Sequence, residues 1–391
     1  MKDLKAKTER IEEWMIELRR DFHRHPELGG NEKKTSERIA RELKKLGIEY
    51  REKVGGYGVV AYLKGKKPGA VVGLRADMDA LPIEEKTGLP FASEVKGRMH
   101  ACGHDGHTAI LLGAASVLKE YQDNFAGEIR LFFQPAEEGP GGAEPMIKDG
   151  CMDNPKVQAV FALHLYSNLK TGMVGIKSGP TMAASDWFNL KLMGPGGHAA
   201  APFETVDIVT LAAHLILTFN SMVSREFDAV EPVVVSIGSI HGGEKENVVP
   251  KLIEMQGTVR TLEEKIRLKV KKRMENLVRD YCRTWGAEYS LDYHLGYPVT
   301  VNDPDLALFA RHQLSELLGK SKVEVVEKAR MGAEDFAYFA RKAPGVMIKL
   351  GGGFQDKPNH PHHCPEYDFD EKALGVGVMS LSQLALAYLS K

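Results

Sequence analysis

The sequence predicts an α/β protein with a mixed, largely parallel sheet, helices on both faces, and an inserted ferredoxin-like α+β domain. Apolar strand-like runs alternate with helical runs over residues 1–184, a pattern typical of parallel sheets. Residues 185–295 instead follow the order β-α-β-β-α-β of a ferredoxin-like unit. Alternating strand and helix runs like those of residues 1–184 resume at residue 296. We therefore expect residues 1–184 and 296–391 to form one discontinuous domain and 185–295 a second, because 391 residues exceed one ordinary core.

The first domain is predicted to begin with two helices. The first helix has an apolar face that includes Trp14, Leu18 and Phe22, and Asn31 is placed to cap the second. Further on, one helical run spans residues 107–121. The predicted strands are 58–65, 70–82, 128–139 and 157–167.

The inserted domain is predicted from six successive runs. Two long runs have helical periodicity, residues 205–225 and the charged run 263–285. The four predicted strands are 186–194, 231–243, 251–261 and 287–295.

Composition restricts the possible functions. A hydrophobic content of 43%, a charged content of 27% and a net charge of −1 are those of a globular protein without a basic stripe for nucleic acid. The N-terminus has no apolar core of a signal peptide, and no stretch is expected to reach the length of a membrane span. We therefore expect a cytoplasmic protein without nucleic-acid or membrane partners. Its four cysteines are better interpreted as free thiols or ligands than as disulfides.

The stretch "MHACGHDGHTA", residues 99–109, concentrates groups that bind metals. Thiolate and imidazole suit zinc and similar transition metals. Cys102 and His104 can face the same side of an extended turn, and a helix beginning near His104 favours the thiolate. A buried polar turn before a helix explains the stretch about equally well.

The pair Glu137 and Glu138 in "FFQPAEEGPGGA" follows an apolar strand. If the chain stays extended, the two carboxylates diverge, so that one can bind a metal while the other faces a water molecule on that metal. Hydrolysis on zinc needs this combination of Lewis acid and carboxylate base. Two glutamates on a solvated loop are the alternative, which the buried strand and the glycines disfavour.

Two further segments carry histidines. His164 closes the apolar strand "VFALHLYS", and "NHPHHCPEYDFDE" contains His360, His362 and His363. Each segment alone could be structural. Since ligands in open α/β sheets bind beyond the carboxyl ends of the strands, we expect these segments to supply donors for two metals at one sheet edge.

The motifs "RADMDALP", "MHACGHDGHTA", "QPAEEGPGGA", "ALHLY", "GPGGHAAAP", "NVVP", "TVR", "GAEDFAYF" and "HHCPEYDFDE" occur in this order along nearly the whole chain. Together they resemble a dinuclear-metal amidohydrolase and peptidase family. That family contains aminoacylases, hippurate hydrolases, auxin-conjugate hydrolases, N-acetyldiaminopimelate deacetylases and related carboxypeptidases. Cys364 departs from the pattern, in which Ser or Asn is more usual.

The resemblance implies a role for each matching residue. Glu137 would be the general base, Asp79 would orient a ligand, His198 would stabilise the oxyanion, and Asn247 and Arg260 would bind the substrate. His363 is preferred to His360 and His362 because its surroundings resemble the family pattern. The implied ligands of two divalent metals, zinc first and manganese, cobalt or nickel as alternatives, are Cys102, His104, Glu138, His164 and His363.

The implied activity is hydrolysis of the amide bond of an N-acyl amino acid or short peptide, which releases a free amino acid. The inserted domain would serve as a lid or dimerisation domain, and we expect a homodimer or homotetramer in which His198 acts in cis or in trans. One alternative is a cysteine hydrolase with Cys102 as nucleophile and His104 or His107 as base. Another is a non-catalytic metal-binding dimeric protein.

Overall fold

A computed structural model describes residues 2–390, which divide into two compact units. Within these described residues, the first unit comprises 2–179, 301–328 and 335–390, and the second comprises 180–300 and 329–334. The helices are α1 (Lys2–Glu9), α2 (Glu12–Arg24), α3 (Lys33–Lys45), α4 (His104–Glu120), α5 (Ala143–Lys148), α6 (Ile208–Glu226), α7 (Glu264–Trp285), α8 (Pro304–Leu318), α9 (Phe336–Lys342) and α10 (Ala373–Leu389). The strands are β1 (Glu49–Val54), β2 (Gly58–Lys64), β3 (Lys67–Asp77), β4 (Ala126–Gln134), β5 (Ala159–Lys170), β6 (Val174–Ile176), β7 (Gly179–Met182), β8 (Ala184–Met193), β9 (Gly197–His198), β10 (Val233–His241), β11 (Val248–Val249), β12 (Leu252–Thr261), β13 (Glu288–Tyr297), β14 (Thr300–Asn302), β15 (Val323–Val325) and β16 (Gly345–Gly353).

An eight-stranded mixed sheet forms the centre of the first unit. Its strand order is β1-β2-β4-β3-β5-β16-β6-β15. The central strands β4, β3, β5 and β16 run parallel to one another, whereas β1, β2 and β6 introduce antiparallel pairs. The predicted fold class, a mixed and largely parallel sheet with flanking helices, is confirmed.

The N-terminal region differs from the prediction in two details. A separate helix, α1, precedes the two expected helices. Glu32, not Asn31, occupies the N-cap of α3 and makes no side-chain cap. Glu32 instead accepts a hydrogen bond from the Ala136 amide over 2.7 Å, a contact that joins the start of this helix to the chain after β4. The apolar face of α2 is buried as predicted, since Leu18 and Phe22 lie in the core of this unit.

The second unit contains a four-stranded antiparallel sheet in the order β10-β12-β8-β13. Numbered along the chain these are strands 2, 3, 1 and 4, the arrangement of a ferredoxin-like unit, and α6 and α7 pack on the sheet. The unit extends beyond the predicted range 185–295. Residues 329–334 join it because the Arg330 amide donates to the Thr181 carbonyl over 2.9 Å, and the Ala183 amide donates to the Arg330 carbonyl over 3.1 Å.

Helix α6 is the one described helix that is long and apolar enough, by length and composition alone, to cross a membrane. The expectation that no stretch reaches this length is therefore wrong for residues 208–226. The apolar character of α6 has a local explanation. Leu211, Leu215 and Phe219 on this helix are buried in the core of the second unit.

A buried ion pair ties β8 to α7 in the second unit. Asp186 and Arg267 are both buried, and Arg267 Nη2 lies 2.6 Å from Asp186 Oδ1. The Tyr293 hydroxyl also donates to Asp186, over 3.2 Å. Removing one partner leaves the other charge buried without its counter-ion, which costs about 3–5 kcal/mol.

Asp186→Ala is therefore expected to lower the free energy of unfolding of the second unit by about 3–5 kcal/mol. Urea unfolding followed by tryptophan fluorescence in a Trp14→Phe background reports on this unit, which contains Trp187 and Trp285. Glu254→Gln is the matched control, since it removes the partly exposed Lys191–Glu254 pair on the same sheet and should cost less than about 1 kcal/mol. If both substitutions lower the free energy of unfolding equally, burial of the Asp186–Arg267 pair is not what makes its loss costly.

Candidate metal centre

Parallel strands and one helix N-terminus bring the predicted donors of the first unit together. β3 ends at Asp77, β4 ends three residues before Glu137, and α4 begins at His104 as predicted. His164 lies inside β5, which continues to Lys170, so the expectation that His164 closes its strand is wrong. The donors nevertheless converge, because β3, β4 and β5 are parallel neighbours.

Cys102, His104 and His164 form the nitrogen and sulfur part of the cluster. One ligand atom of each lies within 4.8 Å of the others, and Cys102 Sγ is 3.4 Å from His164 Nε2. The Nδ1–H of His164 donates to the Leu165 carbonyl over 2.7 Å, and that of His104 donates to the Asp79 carbonyl over 2.9 Å. Each Nδ1 atom is thereby engaged, which leaves Nε2 of both rings as the atom available to a metal.

The two glutamates lie in a turn, which contradicts the assumption that the chain stays extended. After β4 the backbone enters the left-handed region at Ala136, with φ of 55°, and the Gly141 amide bonds back to the Ala136 carbonyl over 2.9 Å. Instead of diverging, Glu137 and Glu138 both offer a carboxylate oxygen within 4.8 Å of a His104 ring nitrogen and of each other. Both carboxylates therefore belong to one cluster.

His363 completes the cluster from the C-terminal loop. Its Nε2 atom lies 3.1 Å from Glu138 Oε1, and Cys102, Glu138 and His363 form another group of ligand atoms within 4.8 Å. The His363 amide donates to the Ala101 carbonyl over 2.9 Å, which fixes the loop against the Cys102 turn. His362 is directed elsewhere, because its Nε2 donates to the Leu165 carbonyl over 2.8 Å.

Asp79 and Asp77 hold the histidines of α4. Asp79 Oδ1 is 3.2 Å from His104 Nδ1, and Asp79 Oδ2 accepts the Glu138 amide over 2.9 Å, so one carboxylate orients two donors. Asp77 accepts the Nδ1–H of His107 over 2.6 Å, and His107 Nε2 accepts the Leu165 amide over 2.9 Å. With both ring nitrogens bonded, His107 supports the cluster and has no free atom for a metal.

Burial and charge determine protonation in this cluster. Burial and the nearby Glu138 carboxylate raise the pKa of the Cys102 thiol well above its usual value, despite the helix N-terminus that follows it. Burial alone lowers the pKa of His104, but the Asp77 carboxylate and the hydrogen bond to Asp79 outweigh it and raise this pKa well above the ordinary value. A metal bound here therefore displaces protons from both groups.

A buried network behind Asp77 was not predicted as part of the site. Arg75 Nη1 donates to Asp77 over 2.7 Å and Arg75 Nη2 donates to Asp335 over 2.9 Å. Asp335 also accepts the Gly142 and Ala143 amides over 3.0 Å each, beyond the glutamate turn. Asp335 lies in the quoted motif "GAEDFAYF", which was the only sequence signal for it.

Of the predicted residues of the second unit, His198 and Asn247 lie at the β9–β11 pair, and Arg260 lies on β12. His198 is exposed on β9, which pairs with β11 just after Asn247, and the Ala199 amide donates to the Asn247 carbonyl over 3.1 Å. Because the Ala200 amide donates to His198 Nδ1 over 3.1 Å, the ring carries its proton on Nε2 as a donor. Arg260 lies inside β12, where its Nη1 donates to the Val259 carbonyl over 3.1 Å and contacts the Thr258 hydroxyl.

The chemistry of the donors fits a metal. His104 Nε2 is buried without a hydrogen-bond partner among residues 2–390, with Asp77 Oδ2 3.7 Å away. Around it lie thiol, imidazole and carboxylate groups, the set that zinc and similar cations prefer. A buried polar atom without a partner costs about 1–3 kcal/mol, which coordination of a cation would remove.

Two known proteins are similar in sequence to this chain over nearly its whole length. Thermostable carboxypeptidase 2 from Saccharolobus solfataricus is 42% identical over 393 residues, which cover 99% of this chain and 98% of its own. N-acetyl-L-cysteine deacetylase from Bacillus subtilis is 40% identical over 365 residues, which cover 93% of this chain and 85% of its own.

Solved structures share the whole fold. A protein from methicillin resistant Staphylococcus aureus has a TM-score of 0.95 at 36% identity, covering 99% of both chains. A Bacillus subtilis protein described as a dinuclear metal binding peptidase has a TM-score of 0.84 at 33% identity, covering 98% of this chain and 99% of its own. The model of Peptidase family M20/M25/M40 matches residues 73–387. The chain therefore belongs to Peptidase family M20/M25/M40 and is a hydrolase of amide bonds, as the order of its motifs predicted.

Proposed function

We propose that the protein is a two-metal amidohydrolase that releases a free amino acid from an N-acyl amino acid or a short peptide. The observation that carries this proposal is the convergence of five donors from four segments on one cluster, in which only the last is exposed: Cys102, His104, Glu138, His164 and His363. The resemblance to a dinuclear metal binding peptidase supports a count of two metals. The soft thiol of Cys102 favours zinc over harder cations.

Divalent metals held by these residues supply Lewis acidity, which polarises the scissile carbonyl and lowers the pKa of water to roughly 7. Asp79 holds His104 and the Glu138 backbone, so it fixes two of the donors before substrate arrives. His107 and Asp77 hold the backbone beside His164 through the Leu165 amide.

Glu137 is proposed as the general base. Its carboxylate is buried and lies within 4.8 Å of the ligand atoms of His104 and Glu138, close enough to act on a water molecule in the cluster. Glu137 takes a proton from the attacking water and returns it to the amine that leaves when the amide bond breaks. One carboxylate thus serves as base and then as acid.

The second unit is proposed to bind the substrate. His198 presents its Nε2–H as a donor, which is the property that an oxyanion requires. Asn247 is joined to the same loop, and the guanidinium of Arg260 suits the free carboxylate of the substrate. We further propose that the unit mediates formation of a homodimer or homotetramer and that the enzyme is cytoplasmic.

The cysteine hydrolase alternative needs an activated Cys102. A nucleophilic thiol is usually prepared by a lowered pKa, whereas burial raises the pKa of Cys102. His107, one of the two possible bases, is occupied at both ring nitrogens. These contacts favour the ligand role of Cys102.

Metal analysis of the purified protein, combined with a hydrolysis screen, tests the proposed function. The panel contains N-acetyl amino acids, N-benzoyl amino acids and dipeptides. We expect at least two equivalents of metal per chain, hydrolysis of at least one class, and loss of activity after chelation with recovery on adding metal back. Full activity after complete removal of metal would overturn the proposal.

Alkylation distinguishes the two roles of Cys102. As a ligand, its thiol should react with iodoacetamide slowly in the metal-loaded protein and faster after chelation. A nucleophile should react equally fast in both states and lose activity as it reacts. Peptide mass spectrometry measures the labelling of Cys102 separately from that of the other cysteines, and buried Cys151 serves as the internal control.

A further inference from the structure

A second set of mixed donors lies on the loop that follows β16. His360, Cys364 and Glu366 offer one nitrogen, one sulfur and one oxygen atom, and these atoms lie within 4.8 Å of one another. All three residues are partly exposed, and the other three cysteines of the chain are buried. The proposed function uses none of these three side chains.

The backbone of this loop is held in place. Its hydrogen bonds include Ser167 Oγ to the His360 carbonyl (2.7 Å), the His363 amide to the Ala101 carbonyl (2.9 Å), the Lys86 amide to the Pro365 carbonyl (2.8 Å) and the Tyr367 amide to the Cys364 carbonyl (3.0 Å). Three other segments of the first unit thus anchor it. The backbone positions of the three residues are therefore set. Only their side chains need to rotate to surround a cation.

Small side-chain rotations would fit the donors to a tetrahedral ion. The Cys364 thiol donates to Glu366 Oε2 over 2.8 Å. In a tetrahedral zinc site, a sulfur and an oxygen ligand are roughly 3.6 Å apart, given zinc bonds of about 2.3 and 2.1 Å. Small rotations of the Cys364 and Glu366 side chains open this gap. The thiol proton passes to solvent as the metal–sulfur bond forms, and a water molecule fills the fourth position.

We propose that His360, Cys364 and Glu366 form a third metal site, separate from the centre at Cys102, which binds zinc or a similar thiophilic divalent cation. Three different donor types on one anchored loop distinguish this site from the acidic groups of an ordinary surface. A protein saturated with zinc then holds one more equivalent than the two of the proposed active site.

Protection of Cys364 from alkylation tests the site. The full chain is labelled with iodoacetamide after chelation and again in zinc buffers, and the Cys364 peptide is quantified by mass spectrometry. We expect labelling to slow by about tenfold when free zinc exceeds the dissociation constant tenfold. Glu366→Gln and His360→Ala should each abolish most of this protection. His312→Ala, which removes an exposed histidine on α8, is the matched control and should leave it unchanged.

Equilibrium dialysis provides the second measurement. Cys364→Ser should bind one equivalent of zinc less than the wild-type chain. Equal labelling of Cys364 with and without zinc, or full protection in Glu366→Gln, would overturn the proposal. The Cys102 peptide in the same digest reports on the proposed active site, so failure of one proposal is distinguishable from failure of the other.

Discussion

Replacement of Glu137 by Gln is expected to lower kcat by about 10²- to 10⁴-fold, the usual contribution of a general base. The amide is nearly the same size as the carboxylate but cannot accept the proton of the attacking water. Metal content should remain at the wild-type value, because the proposed ligands are unchanged. Steady-state kinetics and metal analysis on the same preparation measure both quantities.

Glu138→Gln is the matched control, since it removes the neighbouring carboxylate of the same turn. In the wild-type protein Glu138 Oε1 lies 3.1 Å from His363 Nε2, and both residues belong to a group of possible ligands with Cys102. This substitution should lower metal occupancy as well as activity. A Glu137→Gln protein with near-normal turnover would show that the roles of the two glutamates are wrongly assigned.

Mixing two inactive variants is expected to restore activity if His198 acts in trans. A dimer of His198→Ala and Glu137→Gln chains then contains one site with both residues intact. After random re-equilibration, half of the dimers are mixed, so about one quarter of wild-type activity should return. Activity is measured before and after exchange of subunits, which is induced by mild denaturant and dilution.

Features of the second unit support such a dimer. β10 is an edge strand of its sheet, and its Val234 and Ile240 are exposed. Leu217 on α6 is also exposed, at 67% of its full area. A strand edge and an apolar helix surface of this kind are commonly covered by a second copy.

If His198 acts in cis, every site in the mixture of variants carries a lesion and the mixture stays inactive. A monomer at assay concentration would exclude action in trans.

The sequence predicted the elements better than the directions of side chains. Alternating strand and helix runs identified the mixed sheet, and its parallel strands placed Glu138 and His164 at one edge. The orientation of Glu137 relative to Glu138 could not be predicted, because it depends on a left-handed residue at Ala136. No local pattern in "QPAEEG" demands that conformation.

Long-range contacts explain the remaining differences. His363 was distinguished from His362 by family resemblance alone, whereas in the structure the Leu165 carbonyl engages His362 and leaves His363 beside Glu138. Asp335 supports the turn after β4 from far along the chain, and periodicity carries no information about such a contact. Residues 329–334 join the second unit through backbone bonds, which residue types do not specify.

The position of β16 between β5 and β6 affects how the protein can be made on the ribosome. The four-stranded sheet of the second unit and the helices α6 and α7 occupy one continuous stretch of sequence that ends at residue 297. They are therefore synthesised before β16. Until then β5 presents an unpaired edge, to which a strand of another nascent chain can add. His363 is translated later still, so the cluster gains its last donor only when the chain is nearly complete. Translation products that end between β5 and β16 therefore carry both an aggregation-prone edge and an incomplete metal cluster.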